Sequence, residues 1–423
     1  MDVIVLGLML LSLTIWLGLL CFWGQFWRTD QQLEVTETQL KSLPVVCVVV
    51  PARNEAELIP TSLRSLLLQD YPGSFNVFLV DDRSTDRTAN FAEGVAHAVG
   101  KPQQLHIISG ESLPSGWSGK LWAVEQGIKS ASNFAPDYFL LTDADIEHDS
   151  SNLRRLVAKA VQEDLDLVSV MVRLRCKSFW EKLLIPAFVF FFQKLYPFRW
   201  VNNPNNPTAA AAGGSILIAR EALERIGGIQ VIRQALIDDC ALAQAVKRGT
   251  GGWGLGTRDW GLGAREEFSQ SPVPNPQYPI PSQGRIWLGL SSLTRSLRPY
   301  DSLATIWDMV ARTAYTQLNY SPLLLLGTLL GMPLIYLAPP VCMILGAVWS
   351  NWAIALTGLF GWLLMALAYY PTIRFYKCSV WFAFSLPAIA FLYTLMTLDS
   401  ALRHWQGRGG AWKGRVYPNP DNL

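Results

Sequence analysis

Phe139-Leu140-Leu141-Thr142-Asp143-Ala144-Asp145 is a short apolar run that ends at two carboxylates one residue apart. An apolar run of this length bounded by polar residues reads as a parallel strand covered on both faces, and ligands on open α/β sheets collect at the carboxyl ends of such strands. Two carboxylates at that rim suit a hard divalent cation such as Mg²⁺, which takes one or two carboxylates together with water and phosphate oxygens. An Asp-x-Asp at a strand end also serves as a cap or turn, so the pair alone leaves both readings open.

Working outward, apolar runs alternate with amphipathic stretches from Pro44 to about Arg175, the βαβα signature of a parallel sheet. A first strand is predicted over 45–50, ending in Pro51-Ala52-Arg53-Asn54-Glu55, and leucines then recur at helical spacing to Gln69. A second strand over 75–80 ends in Asp81-Asp82-Arg83-Ser84-Thr85-Asp86, whose Ser, Thr and Asp can cap a helix over 87–99. A third strand over 105–108 and a helix over 120–130 lead to the opening stretch. Polar residues therefore gather at the carboxyl ends of three successive strands. Capping explains any one cluster, whereas three on one edge point to a binding crevice.

Downstream, a helix to about Asp164, a strand over 165–173, a strand over 215–219 and a short helix over 220–226 complete the pattern. Gly213-Gly214 permits close backbone approach to a ligand, or merely tight packing. Leu236-Ile237-Asp238-Asp239 opens a helix, where acids are favoured by the macrodipole in any case. Residues 185–192, inside a segment over 179–196, are strongly apolar but too short to span a bilayer, leaving a core helix or a segment lying in the membrane interface. The interface is preferred, because it would bring a lipid beside a ligand bound at the strand ends. Residues 250–283, with Trp253-Gly254-Leu255-Gly256 recurring as Trp260-Gly261-Leu262-Gly263 and a proline-rich continuation, read as a mobile insertion without chemistry of its own.

At 423 residues, 50% hydrophobic and with 17 Trp, the chain is too apolar for an ordinary cytosolic domain. The net charge of +2 and the lack of a basic tract interleaved with aromatics argue against a nucleic-acid partner. Six cysteines without C-x-x-C spacing read as reduced thiols, not as disulfide staples or zinc ligands. Residues 3–23 are apolar and uncharged, a span with no cleavage signal, and Arg28 beyond it places the next domain in the cytoplasm. The division predicted is an anchor over 1–27, a cytoplasmic domain over 28–320, about three spans within 321–400, and a basic tail over 401–423. The spans fall near 322–340, 348–370 and 380–398. Three crossings put the tail outside, whereas its charge, like that of Arg374 and Lys377, argues for inside. A cytoplasmic tail is preferred, which requires that one segment be re-entrant or miscounted.

Val48-Val49-Val50-Pro51-Ala52-Arg53-Asn54-Glu55, Val80-Asp81-Asp82-Arg83-Ser84-Thr85-Asp86 and Asp143-Ala144-Asp145, in this order and spacing, resemble the family-2 glycosyltransferases of the GT-A fold, with Asp143-Ala144-Asp145 as the DXD motif. Residues 116–123, 185–192, 236–240 and 312–318 are similar to one subgroup, the hopene-associated membrane glycosyltransferases of bacteria. The resemblance implies a Rossmann-like, mostly parallel α/β sheet domain with N- and C-terminal transmembrane helices. It implies that Pro51, Arg53, Asn54 and Glu55 surround the nucleoside, that Asp81 or Asp82 meets uracil and ribose, and that Lys120 approaches the nucleotide. It further implies that Asp143 contacts ribose or metal, that Asp145 binds Mg²⁺ or Mn²⁺, and that Asp239 is the catalytic base with Asp238 in support. Gly213, Gly214 and Gln317 fall on the acceptor side. Processive members carry a Gln-x-x-Arg-Trp motif where this chain has Gln317-Leu318-Asn319-Tyr320-Ser321, a departure that favours transfer of a single sugar. The activity implied is inverting, metal-dependent transfer from a nucleotide-diphosphate sugar, a UDP-sugar by preference, to the hydroxyl of a membrane lipid, hopanoid-related in that subgroup. Its expected place is the cytoplasmic face of a bacterial inner membrane. The alternatives are a processive polysaccharide synthase and a non-catalytic membrane scaffold that retains the fold.

Overall fold

A computed structural model describes residues 2–33, 43–249 and 284–408, and the backbone of 411–412 and 415–416. The insertion expected over 250–283 lies outside the described residues. Helix α1 (Asp2–Phe22) leads to strand β1 (Val46–Ala52), then α2 (Ile59–Leu67), β2 (Phe75–Asp81), α3 (Thr88–Ala98), β3 (Leu105–Ser109), α4 (Gly119–Ala131) and β4 (Tyr138–Leu141). The chain continues through β5 (Ile146–Glu147), α5 (Asn152–Glu163), β6 (Leu167–Arg173), α6 (Phe179–Leu195), α7 (Phe198–Val201), β7 (Ile216–Ala219), α8 (Arg220–Arg225), α9 (Asp238–Arg248) and β8 (Ile286–Ser296).

The eight strands form one mixed sheet in the order β3-β2-β1-β4-β7-β6-β8-β5. The half from β3 to β4 is parallel throughout, as the alternating pattern predicts, and every residue of β1 is buried. Strand β7 runs antiparallel to both β4 and β6, with Leu141 opposite Ile216. This reversal sets the residues just before β7 against those just after β4, so Gly213-Gly214 reaches the same edge as Asp143-Ala144-Asp145. The first strand extends past the predicted boundary to Ala52, and Pro51 lies within it, in register with Val80.

Beyond the sheet come α10 (Leu303–Ala311), α11 (Ala314–Gln317), α12 (Pro322–Met332), a π-helical turn over Pro333–Leu337, α13 (Ala338–Val348), α14 (Trp352–Phe375) and α15 (Leu386–Trp405). Among the described residues four stretches are long and apolar enough to cross a membrane: Asp2–Phe22, Pro322–Val348, Trp352–Phe375 and Val380–Trp405. The far ends of the helical base meet where Asn351 Nδ2 donates to Asp2 Oδ2 at 3.3 Å. The last stretch behaves differently. It follows Cys378, which lies 3.6 Å from Cys176 beside β6, and it ends where Arg403 pairs with Asp308 of α10 at 2.8 Å. Between those points Phe384 accepts a hydrogen bond from Trp362 at 3.1 Å, well down α14. Val380–Trp405 thus begins and ends beside the sheet domain and α10.

Helix α6 occupies 179–195 of the segment in question and is buried between the sheet domain and the helical base. Leu184, Ile185, Ala187, Val189 and Phe190 are fully covered. Tyr393 Oη of α15 donates to Leu184 O at 2.9 Å, and Lys194 Nζ donates to Tyr336 Oη at 2.9 Å. All six cysteines are free thiols.

Candidate active site

The turn after β4 is held from behind by a buried polar chain. Thr142, only 2% exposed, donates through Oγ1 to Gly214 O at 2.7 Å and meets His148 Nε2 at 3.0 Å. Asn152 Nδ2 donates to His148 Nδ1 at 2.9 Å, and Asn152 Oδ1 accepts from Thr294 Oγ1 at 3.0 Å. These roles place the imidazole proton on Nε2, facing Thr142, and burial keeps the ring neutral by pushing its pKa down to about 4. The chain couples three regions of the fold, the β4–β5 turn, the start of β7 and strand β8.

In front of this chain lie the charged groups. Ser118 caps α4 by accepting from Leu121 N at 3.3 Å, and Lys120 follows in its first turn, a place where the helix dipole disfavours a cation. Its ammonium bridges Asp143 Oδ1 at 2.9 Å and Asp238 Oδ2 at 3.0 Å. Burial opposes the charge, but the carboxylates of Asp143 and Asp238 hold the Lys120 pKa well above its ordinary value. Asp143 is raised, by burial first and by Asp145 and Asp238, against the pull of Lys120. Asp239, at the start of α9, accepts from Gly213 N through Oδ2 at 2.9 Å and from Cys240 N through Oδ1 at 2.8 Å. Burial and the neighbouring Asp238 push its pKa up to about 6, against Lys120 and the two N–H donors. A Cβ placed on Gly213 would stand 3.4 Å from Lys120 Nζ, 3.5 Å from Asp239 Oδ2 and 3.8 Å from Asp143 Oδ2, so the bare glycine marks where these groups converge.

Arg298 completes the wall; Ser296-Leu297-Arg298 belongs to the family resemblance in the sequence, but the resemblance assigns Arg298 no site role. Its Nε donates to Asp145 Oδ2 at 2.9 Å and its Nη2 to Glu55 Oε1 at 2.6 Å, while Ser296 Oγ also reaches Asp145 Oδ2 at 3.2 Å. Burial opposes its charge, but Asp145 and Glu55 raise its pKa.

The two loops predicted to receive the nucleoside brace each other. Arg53 Nη1 donates to Asp82 O at 2.6 Å, Asn54 N to Ser84 Oγ at 3.0 Å, Thr85 N to Asn54 Oδ1 at 2.9 Å, and Glu55 N to Thr88 Oγ1 at 2.9 Å. Asp81 Oδ1 accepts from Ser84 N at 3.0 Å, and Asp82 is 2% exposed. A cavity of about 690 Å³ joins the acids to the helical base. Its walls include Pro51, Glu55, Lys120, Asp143, Asp145, Gly213, Gly214, Asp238, Asp239 and Arg298, and on the side of the base Phe188, Phe192, Met309, Arg312, Arg403 and Arg408. Arg53, Asn54, Asp81 and Asp82 stand in the adjoining loops. Gln317 does not line this cavity; its Oε1 accepts from Tyr196 Oη at 2.7 Å.

Among the described residues no three His, Cys, Asp or Glu side chains gather into a protein-only metal cage. The contacts to Asp145 use Oδ2 and that of Lys120 to Asp143 uses Oδ1, which leaves the other oxygen of each carboxylate out of these contacts. Two single carboxylate oxygens are the donor set that Mg²⁺ or Mn²⁺ takes when phosphate and water fill the remaining positions, so the residues present fit such an ion.

Residues 47–227 match the sequence model of the family described as Glycosyl transferase family 2. Undecaprenyl-phosphate 4-deoxy-4-formamido-L-arabinose transferase of Enterobacter sp. is 30% identical over 151 residues, covering 34% of this chain and 42% of that protein. Beta-monoglucosyldiacylglycerol synthase of Synechocystis sp. is 26% identical over 207 residues, 47% of this chain and 39% of that protein. The chain thus spans less than half the length of these curated relatives. The mannosyltransferase PcManGT of Pyrobaculum calidifontis, solved with GDP-Man and Mn²⁺, superposes with a TM-score of 0.54 at 17% identity over 95% of this chain and 99% of that one. The likeness shows the fold, an α/β GT-A domain with terminal transmembrane helices.

Proposed function

We propose, from the premise that residues 47–227 form a family-2 glycosyltransferase domain set on apolar helices, that this protein transfers one sugar from a nucleotide-diphosphate sugar to a membrane lipid hydroxyl with inversion. A UDP-sugar is the preferred donor. The observation that carries this reading is the continuity of one cavity from Lys120, Asp143, Asp145 and Asp239 to Phe188 and Phe192 of α6 and Met309 of α10. A donor and a lipid can meet in it without either leaving its own environment.

In this reading Pro51, Arg53, Asn54 and Glu55 with Asp81-Asp82 receive the nucleoside. Asp143 and Asp145 would hold Mg²⁺ or Mn²⁺, which when bound supplies positive charge to the departing diphosphate. Lys120 brings a fixed ammonium to the same developing charge. Asp239, ionised above about pH 6 and oriented by Gly213 N–H and Cys240 N–H, takes the proton from the lipid hydroxyl. As the hydroxyl oxygen bonds to the anomeric carbon, the bond to the diphosphate oxygen breaks on the opposite side. Asp238 supports the base by holding Lys120. Gly213 keeps the point of attack open, and Gly214 packs behind it. Phe188, Phe192 and Met309 would take the apolar part of the lipid.

Two curated relatives carry lipid names, undecaprenyl phosphate in one and diacylglycerol in the other, which supports a lipid acceptor. The hopene-associated subgroup finds support in the cavity itself, to which each of the four subgroup-like stretches contributes, through Lys120, Phe188, Asp239 and Arg312. Arg374, Lys377 and Arg403 lie toward the catalytic-domain side, which supports a cytoplasmic catalytic face on a bacterial inner membrane. The test is incubation of detergent-solubilised protein with radiolabelled nucleotide sugars and native lipid extract, beside Asp239→Asn. Lipid carrying one sugar, lost in the variant, is expected. Undiminished labelling in the variant would refute the base, long polymer would refute single transfer, and no nucleotide-sugar binding would favour the scaffold.

A further inference from the structure

We propose that Cys176 and Cys378 form a reversible thiol–disulfide site whose oxidation fastens the helical base to the catalytic domain. The two sulfurs lie 3.6 Å apart although 202 residues separate them. Cys176 belongs to the loop from β6 to α6, and Cys378 to the connection from α14 to the returning segment that ends in α15. Adjacent contacts hold the loops at this spacing. Arg173 Nη2 donates to Tyr376 O at 2.9 Å, and its guanidinium lies 5.9 Å from the centre of the Tyr376 ring. A disulfide needs a sulfur separation of about 2.0 Å, so oxidation must draw the two sulfurs closer.

The pair is chemically asymmetric. The hydrogen bond from Cys176, with Lys182 and Arg173 nearby, brings the Cys378 pKa down to about 7, whereas the thiol of Cys176 is pushed up. Both side chains are partly exposed, unlike Cys47 and Cys240, which are buried. Cys378 is therefore the nucleophile and Cys176 the resolving thiol. The Cys378 thiolate attacks a low-molecular-weight disulfide, forming a mixed disulfide and releasing one thiol. Cys176 then loses its proton and attacks Cys378 Sγ, releasing the second thiol. Two protein thiols are oxidised and the small disulfide is reduced to two thiols.

The bond would act on the cavity because of what the two loops carry. Cys176 precedes α6, which supplies Phe188 and Phe192, and Cys378 precedes α15, which supplies Arg403. Glu181 of α6 also accepts from Tyr300 N at 2.9 Å, so the same helix anchors the wall beside Arg298. A disulfide sets these elements against each other at the lipid-facing end, whatever the sugar or acceptor.

The test uses the full chain in detergent, exposed to oxidised glutathione and digested without reduction. A peptide joining Cys176 to Cys378 is expected, reversed by dithiothreitol, with a thermal midpoint several degrees higher in the oxidised protein. In Cys176→Ser, Cys378 accumulates one glutathione; in Cys378→Ser, Cys176 reacts at least ten times more slowly. Absence of the joined peptide while Cys378 is glutathionylated in the unmodified sequence would overturn the pairing. A joined peptide with an unchanged thermal midpoint would overturn the fastening.

Discussion

Lys120→Met keeps the length of the side chain and deletes the charge that bridges Asp143 and Asp238. Asp239 is outside that bridge, yet its Oδ2 is no farther than about 7 Å from the ammonium, since one point beside Gly213 is 3.5 Å from the first and 3.4 Å from the second. Two unit charges at about 7 Å interact by about 2.4 kcal/mol at an effective dielectric of about 20, close to two pKa units. The Lys120 side chain is 18% exposed, so solvent screening reduces this to about one unit. The sign follows from the charges. Lys120 lowers the pKa that burial and Asp238 raise to about 6, so its removal raises that pKa further, to about 7 by the one-unit shift. In the proposed role Asp239 must be ionised, and log kcat/KM should therefore begin to fall below about pH 6 in the parent protein and about one unit higher in the variant. The plateau should also drop by about 10²- to 10³-fold, because a fixed cation no longer faces the diphosphate. Release of nucleoside diphosphate in the presence of lipid acceptor, followed from pH 5 to 9, reads both effects. A lower plateau with an unmoved acid limb would refute the coupling of Lys120 to the base, and an unmoved plateau would remove Lys120 from the donor site.

Thr142→Val should cost about 2–4 kcal/mol in unfolding free energy, because it leaves Gly214 O and the His148 Nε2–H buried without partners. Adding His148→Leu should recover part of that loss, and strict additivity of the two in chemical denaturation would show that they do not form one chain. Gly214→Ala places a Cβ 2.9 Å from Val172 Cγ2, a crowding that should lower stability by about 1–3 kcal/mol. Gly213→Ala meets nothing closer than 3.4 Å and should melt like the parent while losing at least about tenfold in turnover, its methyl filling the place where the charged groups converge. A lower melting temperature for Gly213→Ala than for Gly214→Ala would contradict the packing at the start of β7.

Much of this protein is legible in local sequence, because burial on both faces of a parallel strand and the capping of helix ends leave marks only a few residues long. The strands Val46–Ala52, Phe75–Asp81 and Tyr138–Leu141 follow from such marks, as does the helix that opens at Asp238-Asp239. The role of Arg298 carries no comparable local signal. It closes the site by binding Asp145 and Glu55, 153 and 243 residues away in sequence, and that meeting depends on where β8 lies in the sheet. Gly213 reaches Asp239 and Lys120 because β7 runs against its neighbours, a reversal that alternating apolar and polar residues do not encode. Hydropathy likewise identifies apolar segments without saying which of them cross. The structure adds that Val380–Trp405 has Cys378 against Cys176 at one end and Arg403 against Asp308 at the other, contacts between segments that composition treats as independent. The turn at Asp143-Ala144-Asp145 is thus written in seven consecutive residues, but Lys120, Asp239, Arg298 and the apolar wall of α6 come together around it only after distant strands and helices have packed.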